Sequence, residues 1–474
     1  MAVLHCDLVI RGGAVVTPGH QEIADVGVSD GQIAQIGGQL TGDDVVDATG
    51  LLVLPGGIDA HVHLVSAALA EATRQRGPIW VDDFWTGSLA AFAGGITTVG
   101  NMTFALPGES MTDALARETA GAATEAAADY FLHPVLGDLT ESTDEEIAAL
   151  ARNGHTSIKV FLSDPRITAQ MPGLARAVAA AGLAGSLTLL HCEDAGILAR
   201  TGSELIESGR GEVRNFPDSR PVAAEVAAIE QAVWLARQAS APVYVVHLSS
   251  AAALDQCREA RAAGLPVYVE TRPLYLHLTE KRFVEPDGAK YVGAPPLRSQ
   301  ADRDALWRGL AAGDIDTVCS DHAPWTLAAK LDPALNVVTA RQGVADLETL
   351  MPMLFSEGVV SGRISLARFV ELTSGNAARL FGLYPRKGAI TVGADADLVL
   401  WDGHLRKTID GARMQSRSGY SVYDGWTVQG WPRSVLRRGQ VVRRDGASTA
   451  RPGEGHWIRR DRLAVPPLSG FRTP

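Results

Sequence analysis

The chain has few cysteines, and they do not form a disulfide framework or a CxxC metal site. They are Cys6, Cys192, Cys257 and Cys319 in a chain of 474 residues. A chain of this length buries enough apolar surface to fold without covalent cross-links. We therefore expect four reduced, mostly buried thiols, as is typical of a cytoplasmic protein.

The chain also lacks a long hydrophobic run and an excess of positive charge. No apolar stretch reaches the ~18 residues of a membrane span, and the N-terminal MAVLHCDLVIRGG alternates like a strand, unlike a signal peptide. The formal net charge is −11, which argues against nucleic acid as a partner because phosphate binding needs a basic patch. We expect a cytoplasmic protein that binds neither membrane nor nucleic acid.

The two ends of the chain are rich in short strands separated by Gly and Asp. Residues 1–55 contain DLVIRGGAVV and DVVDATGLLVLPG, and residues 385–445 contain KGAITVGADADLVLWD and SVLRRGQVVRRDG. This pattern is typical of β-hairpins. We predict one small β-sandwich built from both ends, followed by a tail over 446–474 as a candidate oligomer contact.

The middle of the chain, residues 56–384, alternates strand-like apolar runs with helical patterns. The eight runs are GIDAHVHL, TTVGNMTF, DYFLHPVLG, SIKVFL, LTLLHCED, PVYVVHLSS, PVYVETRP and DTVCSDHAP. Alternating strands and helices indicate a parallel sheet, and eight such units indicate a closed (β/α)8 barrel. The predicted fold class is therefore α/β, a TIM-like barrel that carries a small β-sandwich.

Metal-binding residue types stand at the ends of these runs, where barrel enzymes keep their active groups. His61 and His63 end the first run, and their i, i+2 spacing puts both side chains on one face of a strand. His191, His247 and Asp321 end the fifth, sixth and eighth runs. One such histidine alone would more often be structural, but this set predicts a metal site. Zinc is the default ion, with manganese, cobalt and iron as alternatives.

Lys159 lies in the fourth run, SIKVFL, and taken alone it is better explained as a salt-bridged lysine at the barrel mouth. Taken together, the motifs resemble the amidohydrolase superfamily, in its dihydropyrimidinase, hydantoinase and allantoinase branch. The resemblance covers nearly the whole chain. It is carried by PGGIDAHVHL, AGGITTV, SIKVF, SRPVAAE, VHLSS, ETRPLYL, APPLRS, SDHAP, LTSGNAARLFGLYPRKGAI and GADADLVLWD.

The resemblance implies that CO2 converts Lys159 into a carboxylysine whose two oxygens span two divalent cations. It implies that these ions share a hydroxide, whose proton Asp321 takes and later gives to the leaving nitrogen. The implied reaction is hydrolysis of a C–N bond in a cyclic amide or ureide, such as a hydantoin or dihydropyrimidine ring. The implied ligands are His61, His63 and Asp321 for one ion and His191 and His247 for the other.

The sequence departs from this branch at three positions expected to contact the substrate. Asp164 stands where the branch has a tyrosine that hydrogen-bonds the oxyanion, and a carboxylate would repel an oxyanion. Ala294 replaces a serine whose contact is largely made by backbone groups, and Gln342 replaces an asparagine. Three explanations stay open: the second ion alone stabilises the oxyanion, the loop is rearranged, or Asp164 contacts a polar substrate group.

The sequence leaves three alternatives to ring opening of a hydantoin or dihydropyrimidine. The missing tyrosine and VHLSS favour an allantoinase. Another amidohydrolase, such as a dihydroorotase-like enzyme or a hydrolase of a different imide or lactam, is a further alternative. Dihydroorotate carries a carboxylate that needs a basic clamp, for which Arg272 and Arg298 are candidates. A non-catalytic scaffold is disfavoured because all six ligand positions are filled. Since branch members are commonly tetramers, we expect a homotetramer or dimer.

Overall fold

The computed structural model describes residues 3–17, 19–74 and 79–463. Its strands, in chain order, are β1 (Leu4–Thr17), β2 (His20–Ser29), β3 (Gln32–Ile36), β4 (Leu40–Asp47), β5 (Leu52–Pro55), β6 (Gly57–Val62), β7 (Ile96–Thr103), β8 (Asp129–Pro134), β9 (Ser157–Phe161), β10 (Leu187–His191), β11 (Val243–Val245), β12 (Val267–Thr271), β13 (Thr317–Val318), β14 (Leu398–Thr408), β15 (Thr427–Arg437), β16 (Gln440–Arg444) and β17 (Ala447–Ser448).

The α-helices are α1 (Ala67–Thr73), α2 (Phe84–Gly94), α3 (Met111–Glu125), α4 (Thr143–Arg152), α5 (Pro165–Thr168), α6 (Met171–Leu183), α7 (Ala195–Glu207), α8 (Phe216–Ser219), α9 (Val222–Ala239), α10 (Ala251–Ala262), α11 (Pro273–His277), α12 (Gln300–Ala312), α13 (Leu327–Lys330), α14 (Leu350–Leu354), α15 (Leu366–Val370) and α16 (Asn376–Leu380). Short 3-10 helices cover Val213–Asn215, Glu280–Val284, Gly288–Tyr291 and Gly411–Arg413, and π-helical turns cover Phe355–Val360 and Glu371–Gly375. Several helices begin after a capping side chain that accepts a backbone N–H, namely Asp83, Ser110, Asp194, Ser250 and Ser299.

The eight strands β6–β13 form the predicted barrel. They pair in parallel as two sheets, β6-β7-β8 and β9-β10-β11-β12-β13. A parallel bridge between Val135 and Lys159 joins the sheets at one edge, and a bridge between Val62 and His322 joins them at the other. The ring is therefore closed, and the (β/α)8 architecture is confirmed.

The remaining strands form one mixed sheet from both ends of the chain. Its order is β17-β16-β15-β14-β5-β1-β2-β3, and β4 also pairs with β1. The strand β1 has a bulge between Ile10 and Gly13; it pairs in parallel with β4 before the bulge and with β5 after it. The antiparallel pairing of β5 with β14 joins the two ends, so the predicted element made by both termini is present.

A buried charge cluster connects this sheet to the barrel. The Lys387 ammonium lies 2.5 Å from Asp129 at the start of β8, 2.7 Å from Asp397 and 3.1 Å from Asp395. Arg438 pairs with the other oxygen of Asp129. Although burial opposes ionisation, Lys387 and Arg438 lower the pKa of Asp129 to about 2. The carboxylate is therefore an anion over the whole ordinary pH range.

The described part of the C-terminal tail packs on the barrel of its own chain. Gly455 donates its N–H to Ala126, Ile458 donates to Tyr130, and Leu463 donates to Gly185, each over 2.8 Å. Residues 464–474, the rest of the tail predicted as an oligomer contact, lie outside the described residues.

All four cysteines are buried and unpaired. Among the residues that the structure covers, no helix has the length and apolarity needed to cross a membrane.

Candidate metal centre

Three of the predicted ligands meet at the mouth of the barrel. The Oδ1 atom of Asp321 lies 3.3 Å from Nε2 of His61 and 3.0 Å from Nε2 of His63. All three side chains are buried, and one ligand atom from each lies within 4.8 Å of the others. The i, i+2 spacing of the two histidines thus puts both rings on the same side of β6, facing the end of β13.

The other two histidines form a second group beside the first. Nδ1 of His191, at the end of β10, lies 3.0 Å from Nε2 of His247. The rings of His61 and His247 are 5.4 Å apart, which makes the two groups neighbours. The first group presents imidazole nitrogens and a carboxylate, and the second presents imidazole nitrogens; these are the donor types that bind zinc and related ions.

Lys159 is fully buried, and its ammonium has no hydrogen-bond partner in the described structure. Burial lowers the pKa of Lys159 to about 8. Burial also lowers the pKa of His63 and His191, and the nearby charge of Lys159 adds to both shifts. Its Nζ atom lies 5.0 Å from the centre of the Phe161 ring, which lies 5.3 Å from the His191 ring, so this unpartnered amine lies near the second histidine group.

Two buried glutamates that sequence reasoning missed orient the histidines. Glu270 lies 2.9 Å from Nδ1 of His61 and also accepts the backbone N–H of His247. Glu193 lies 2.8 Å from Nε2 of His191 and pairs with Arg220. These contacts leave Nε2 of His61 and Nδ1 of His191 facing the site. Both glutamates stand at strand ends, in HCED and YVET, and an inspection of acidic residues there would have found them.

The backbone is strained at one ligand in each group. His247 has φ 39° and Asp321 has φ 49°, both in the left-handed region. For residues other than glycine this conformation costs on the order of 1–3 kcal/mol. Such strain clusters at functional sites, where the surrounding structure over-determines the backbone.

The two candidate arginines of a carboxylate clamp are engaged elsewhere. Arg272 is fully buried and pairs with Asp321. Arg298 is buried too; it donates to Ser249 and to the backbone carbonyl of Arg220. Each guanidinium is thus held by oxygen atoms of the protein.

The three predicted substrate contacts do not form one group. Asp164 caps helix α5 and binds the guanidinium of Arg166 over 2.7 Å. Ala294 is buried after β12, and the segment before it joins the Gln342 segment through a hydrogen bond from Gly343 N–H to the Val292 carbonyl. The Ala294 and Gln342 segments are thus adjacent, whereas Asp164 is held by a neighbouring arginine.

Three aromatic rings contact the two histidine groups, and a fourth packs against one of these three. The Trp80 ring lies 4.7 Å from His63, and the Phe161 ring lies 5.3 Å from His191. The Phe104 ring lies 5.7 Å from the Trp80 ring and 6.0 Å from the Phe161 ring. The Trp325 ring lies 6.4 Å from the Trp80 ring. We call these four rings, Trp80, Phe104, Phe161 and Trp325, the aromatic wall.

Comparison with known proteins agrees with this geometry. Residues 52–442 match the model of the amidohydrolase family. The chain belongs to the amidohydrolase family. It is 35% identical over 459 residues to a D-hydantoinase of Ralstonia pickettii, covering 96% of this chain and 99% of that protein. It is 35% identical over 468 residues to a D-phenylhydantoinase of Escherichia coli, covering 97% and 99%.

Solved structures of related enzymes have the same fold as this amidohydrolase. The crystal structure of a dihydropyrimidinase from Brevibacillus agri matches with a TM-score of 0.91 and 36% identity, covering 97% of this chain and 99% of that one. The chain is therefore a hydrolase that acts on C–N bonds of cyclic amides. Its family uses divalent metal ions, and His61, His63 and Asp321 form a group that fits one.

Proposed function

We propose that this amidohydrolase opens the ring of a 5-substituted hydantoin, with a dihydropyrimidine as the second candidate. The observation that carries the proposal is the pair of adjacent histidine groups at the barrel mouth, with Lys159 buried and unpartnered near them. The second candidate is supported by similarity to the dihydropyrimidinase of Brevibacillus agri. In both rings, water adds to a carbonyl carbon and the bond from that carbon to the ring nitrogen breaks.

The proposed ligands are those predicted from the sequence. His61, His63 and Asp321 would hold one ion and His191 and His247 the other, and Lys159, carboxylated by CO2, would span both. Zinc is the proposed metal, with manganese, cobalt or iron as alternatives. When bound, two such ions supply Lewis acidity and make water a nucleophile at neutral pH.

Asp321 is the proposed proton carrier. Its Oδ1 atom faces His61 and His63, at 3.3 and 3.0 Å from their Nε2 atoms. From this position the carboxylate would take a proton from the attacking water and deliver it to the leaving nitrogen. This transfer matters because an amide nitrogen leaves poorly as an anion.

The proposed substrate contacts are backbone groups around Ala294 and Gln342. The two segments lie next to each other. Because a backbone hydrogen bond does not depend on the side chain, Ala and Gln at these positions are compatible with such contacts. Asp164 is proposed as a contact to a polar substrate group, although Arg166 engages its carboxylate in this structure. With a carboxylate in place of the oxyanion-binding tyrosine, stabilisation of the oxyanion falls to the metal site.

The aromatic wall supports a flat, apolar substituent on the ring. Trp80 packs against His63 of one group and Phe161 packs against His191 of the other. A substrate seated between the groups would therefore have its substituent against these rings. Aromatic pairs add about 0.5–1.5 kcal/mol beyond area burial. The ureido substituent of allantoin gains less from such a surface. The two candidate arginines of a clamp for dihydroorotate, Arg272 and Arg298, are held by oxygen atoms of the protein.

The test is a parallel assay of the metal-loaded protein with 5-phenylhydantoin, 5-methylhydantoin, dihydrouracil, allantoin and dihydroorotate. We expect ring opening of the hydantoins, loss of activity with a chelator, and preference for the phenyl compound. In Trp80→Ala, KM for the phenyl compound should rise about tenfold with little change for the methyl compound. Activity on allantoin or dihydroorotate alone, with neither hydantoin opened, would contradict the proposal.

The domain organisation and the cellular setting are also proposals. We propose a barrel over 56–384 and a β-sandwich over 1–55 and 385–445; the end of β5 at Pro55 and the start of β6 at Gly57 support the first boundary. We propose a cytoplasmic homotetramer or dimer, with part of the 446–474 tail at a subunit contact. Sedimentation velocity of the full chain and of a chain ending at residue 463 tests the assembly.

A further inference from the structure

Lys330, at the end of α13, is a buried lysine that the proposed reaction does not use. Its side chain is 2% exposed. The ammonium donates to the backbone carbonyls of Val292 over 2.6 Å, Arg341 over 2.6 Å and Gly343 over 2.8 Å. An ammonium has three N–H donors and no acceptor, so all of its donors are used on backbone carbonyls.

The three carbonyls belong to two segments that are distant in sequence. Val292 lies two residues before Ala294, and Arg341 and Gly343 flank Gln342. The same Val292 carbonyl also accepts the N–H of Gly343 over 3.0 Å. Lys330 therefore closes a contact between the two segments through which the substrate ring is proposed to bind.

Four successive carbonyls of the second segment are fixed in this way. Lys330 binds those of Arg341 and Gly343, and the indole N–H of Trp325 donates to that of Gln342 over 2.8 Å. The N–H of Ala323 donates to the carbonyl of Val344 over 3.0 Å. Each peptide unit is planar, so fixing its carbonyl group also fixes the direction of its N–H group. The N–H groups of this segment therefore have defined directions.

The second segment is also pressed against the strand end that carries Asp321. Gly343 has φ +115°, and a Cβ atom there would lie 2.5 Å from both the Cβ and the carbonyl oxygen of Ala323. Only glycine fits this conformation and this approach. The segment thus has a defined position relative to Asp321, two residues before Ala323.

We propose that Lys330 is a positioning residue that clips the segments 292–294 and 341–343 together in the geometry that binds the substrate ring. This inference rests on the proposed function, because it assigns those segments to substrate binding. It separates the tasks of two lysines: Lys159 belongs to the metal centre, and Lys330 acts through backbone groups on the substrate.

The test compares Lys330→Met with the parent enzyme and with Lys281→Met, an exposed lysine in the same region. We expect KM for the opened ring to rise at least about tenfold in Lys330→Met, with kcat within about threefold and metal content unchanged. Hydrogen exchange should accelerate at the amides of 341–344 and 292–294 and stay unchanged in the barrel strands. Lys281→Met should match the parent in every measurement.

A parent-like KM in folded Lys330→Met, or a loss of activity that only follows the folded fraction, would overturn the proposal. If Lys330→Met does not fold, Lys330→Arg is the second variant. Its planar guanidinium cannot point to three converging carbonyls as an ammonium does, so KM should again rise, and a parent-like KM would overturn the inference. If the parent enzyme opens none of the rings, the proposed function fails. The hydrogen-exchange data then test only whether Lys330 holds the two segments together.

Discussion

Arg272 donates from Nη1 to the Oδ2 atom of Asp321 over 2.7 Å, in a buried ion pair at the barrel mouth. The other carboxylate oxygen, Oδ1, faces His61 and His63. Although burial opposes ionisation, Arg272 and these histidines hold the pKa of Asp321 well below its usual range. The guanidinium thus fixes which oxygen of Asp321 is presented to the metal centre.

Replacing Arg272 should impair turnover more than substrate binding. In Arg272→Met the carboxylate of Asp321 loses a charge-assisted hydrogen bond and its fixed orientation. We expect kcat to fall roughly 10- to 100-fold with KM little changed. Arg272→Lys keeps one donor for Oδ2 and should recover part of the loss. Steady-state kinetics with metal analysis checks this, and an unchanged kcat in Arg272→Met would show that the pair only stabilises the fold.

Asp321→Asn should separate metal binding from proton transfer. An amide oxygen still coordinates a cation, but it cannot accept and return a proton at neutral pH. We expect the metals to remain largely bound while kcat falls about 10²- to 10⁴-fold. Metal content and kcat are measured on the same sample, and near-normal turnover would assign the proton transfer to another group.

Lys159→Ala should weaken both metal positions together. The variant lacks the amine that is proposed to carry the bridging carboxylate, so both ions lose a ligand. We expect loss of bound metal and activity, with partial recovery in acetate or propionate, whose carboxylates fit the space left by the side chain. Lys281→Ala is the matched control on the surface. Full metal content and activity in Lys159→Ala would rule out the carboxylysine.

The ion pairs around Asp129 should make the free energy of unfolding depend on pH in the acidic range. The folded pKa of about 2 lies below the usual value of 3.8, so the ion pairs with Lys387 and Arg438 stabilise the fold fully above about pH 5. This contribution is lost as pH falls from about 5 to 2. Asp129→Asn should lower the free energy of unfolding by about 3–5 kcal/mol at pH 7.

Urea unfolding at a series of pH values measures this effect. The parent protein should lose stability between pH 5 and 2 more steeply than Asp129→Asn, which has no carboxylate to protonate at this position. The control is Asp44→Asn, an exposed residue of β4, whose curve should follow that of the parent. Parallel curves for the parent and Asp129→Asn would mean that other groups control acid unfolding.

Local patterns were sufficient to predict the barrel and the meeting of His61, His63 and Asp321 at its mouth. The i, i+2 spacing of His61 and His63 fixes both rings on one face whatever the rest of the fold does. His191, His247 and Asp321 follow apolar runs, and the ends of parallel strands meet at one rim. The eight strands and the sheet shared by both ends are confirmed for the same reason, because each rests on short-range periodicity.

Contacts between distant residues were not predictable. The strand-end position of Glu270 in YVET marks it as a candidate near the site, but its contact with His61 spans 209 positions of sequence, and no local signal identifies that partner. Arg272 and Arg298 were candidate clamps because sequence shows charge and not burial. Lys330 gave no signal at all, since its partners are backbone carbonyls of segments about 10 and 40 residues away.

The pairing of β5 with β14 has a consequence for synthesis on the ribosome. The first five strands are complete by Pro55, but the partner of β5 begins only at Leu398. At about 5–20 residues per second, the intervening chain takes roughly 20–70 s to translate. During that time the edge of β5 has no native neighbour, and an open strand edge is a template for pairing with another chain. We therefore expect nascent chains on the same polysome to be the species of this protein most prone to aggregation.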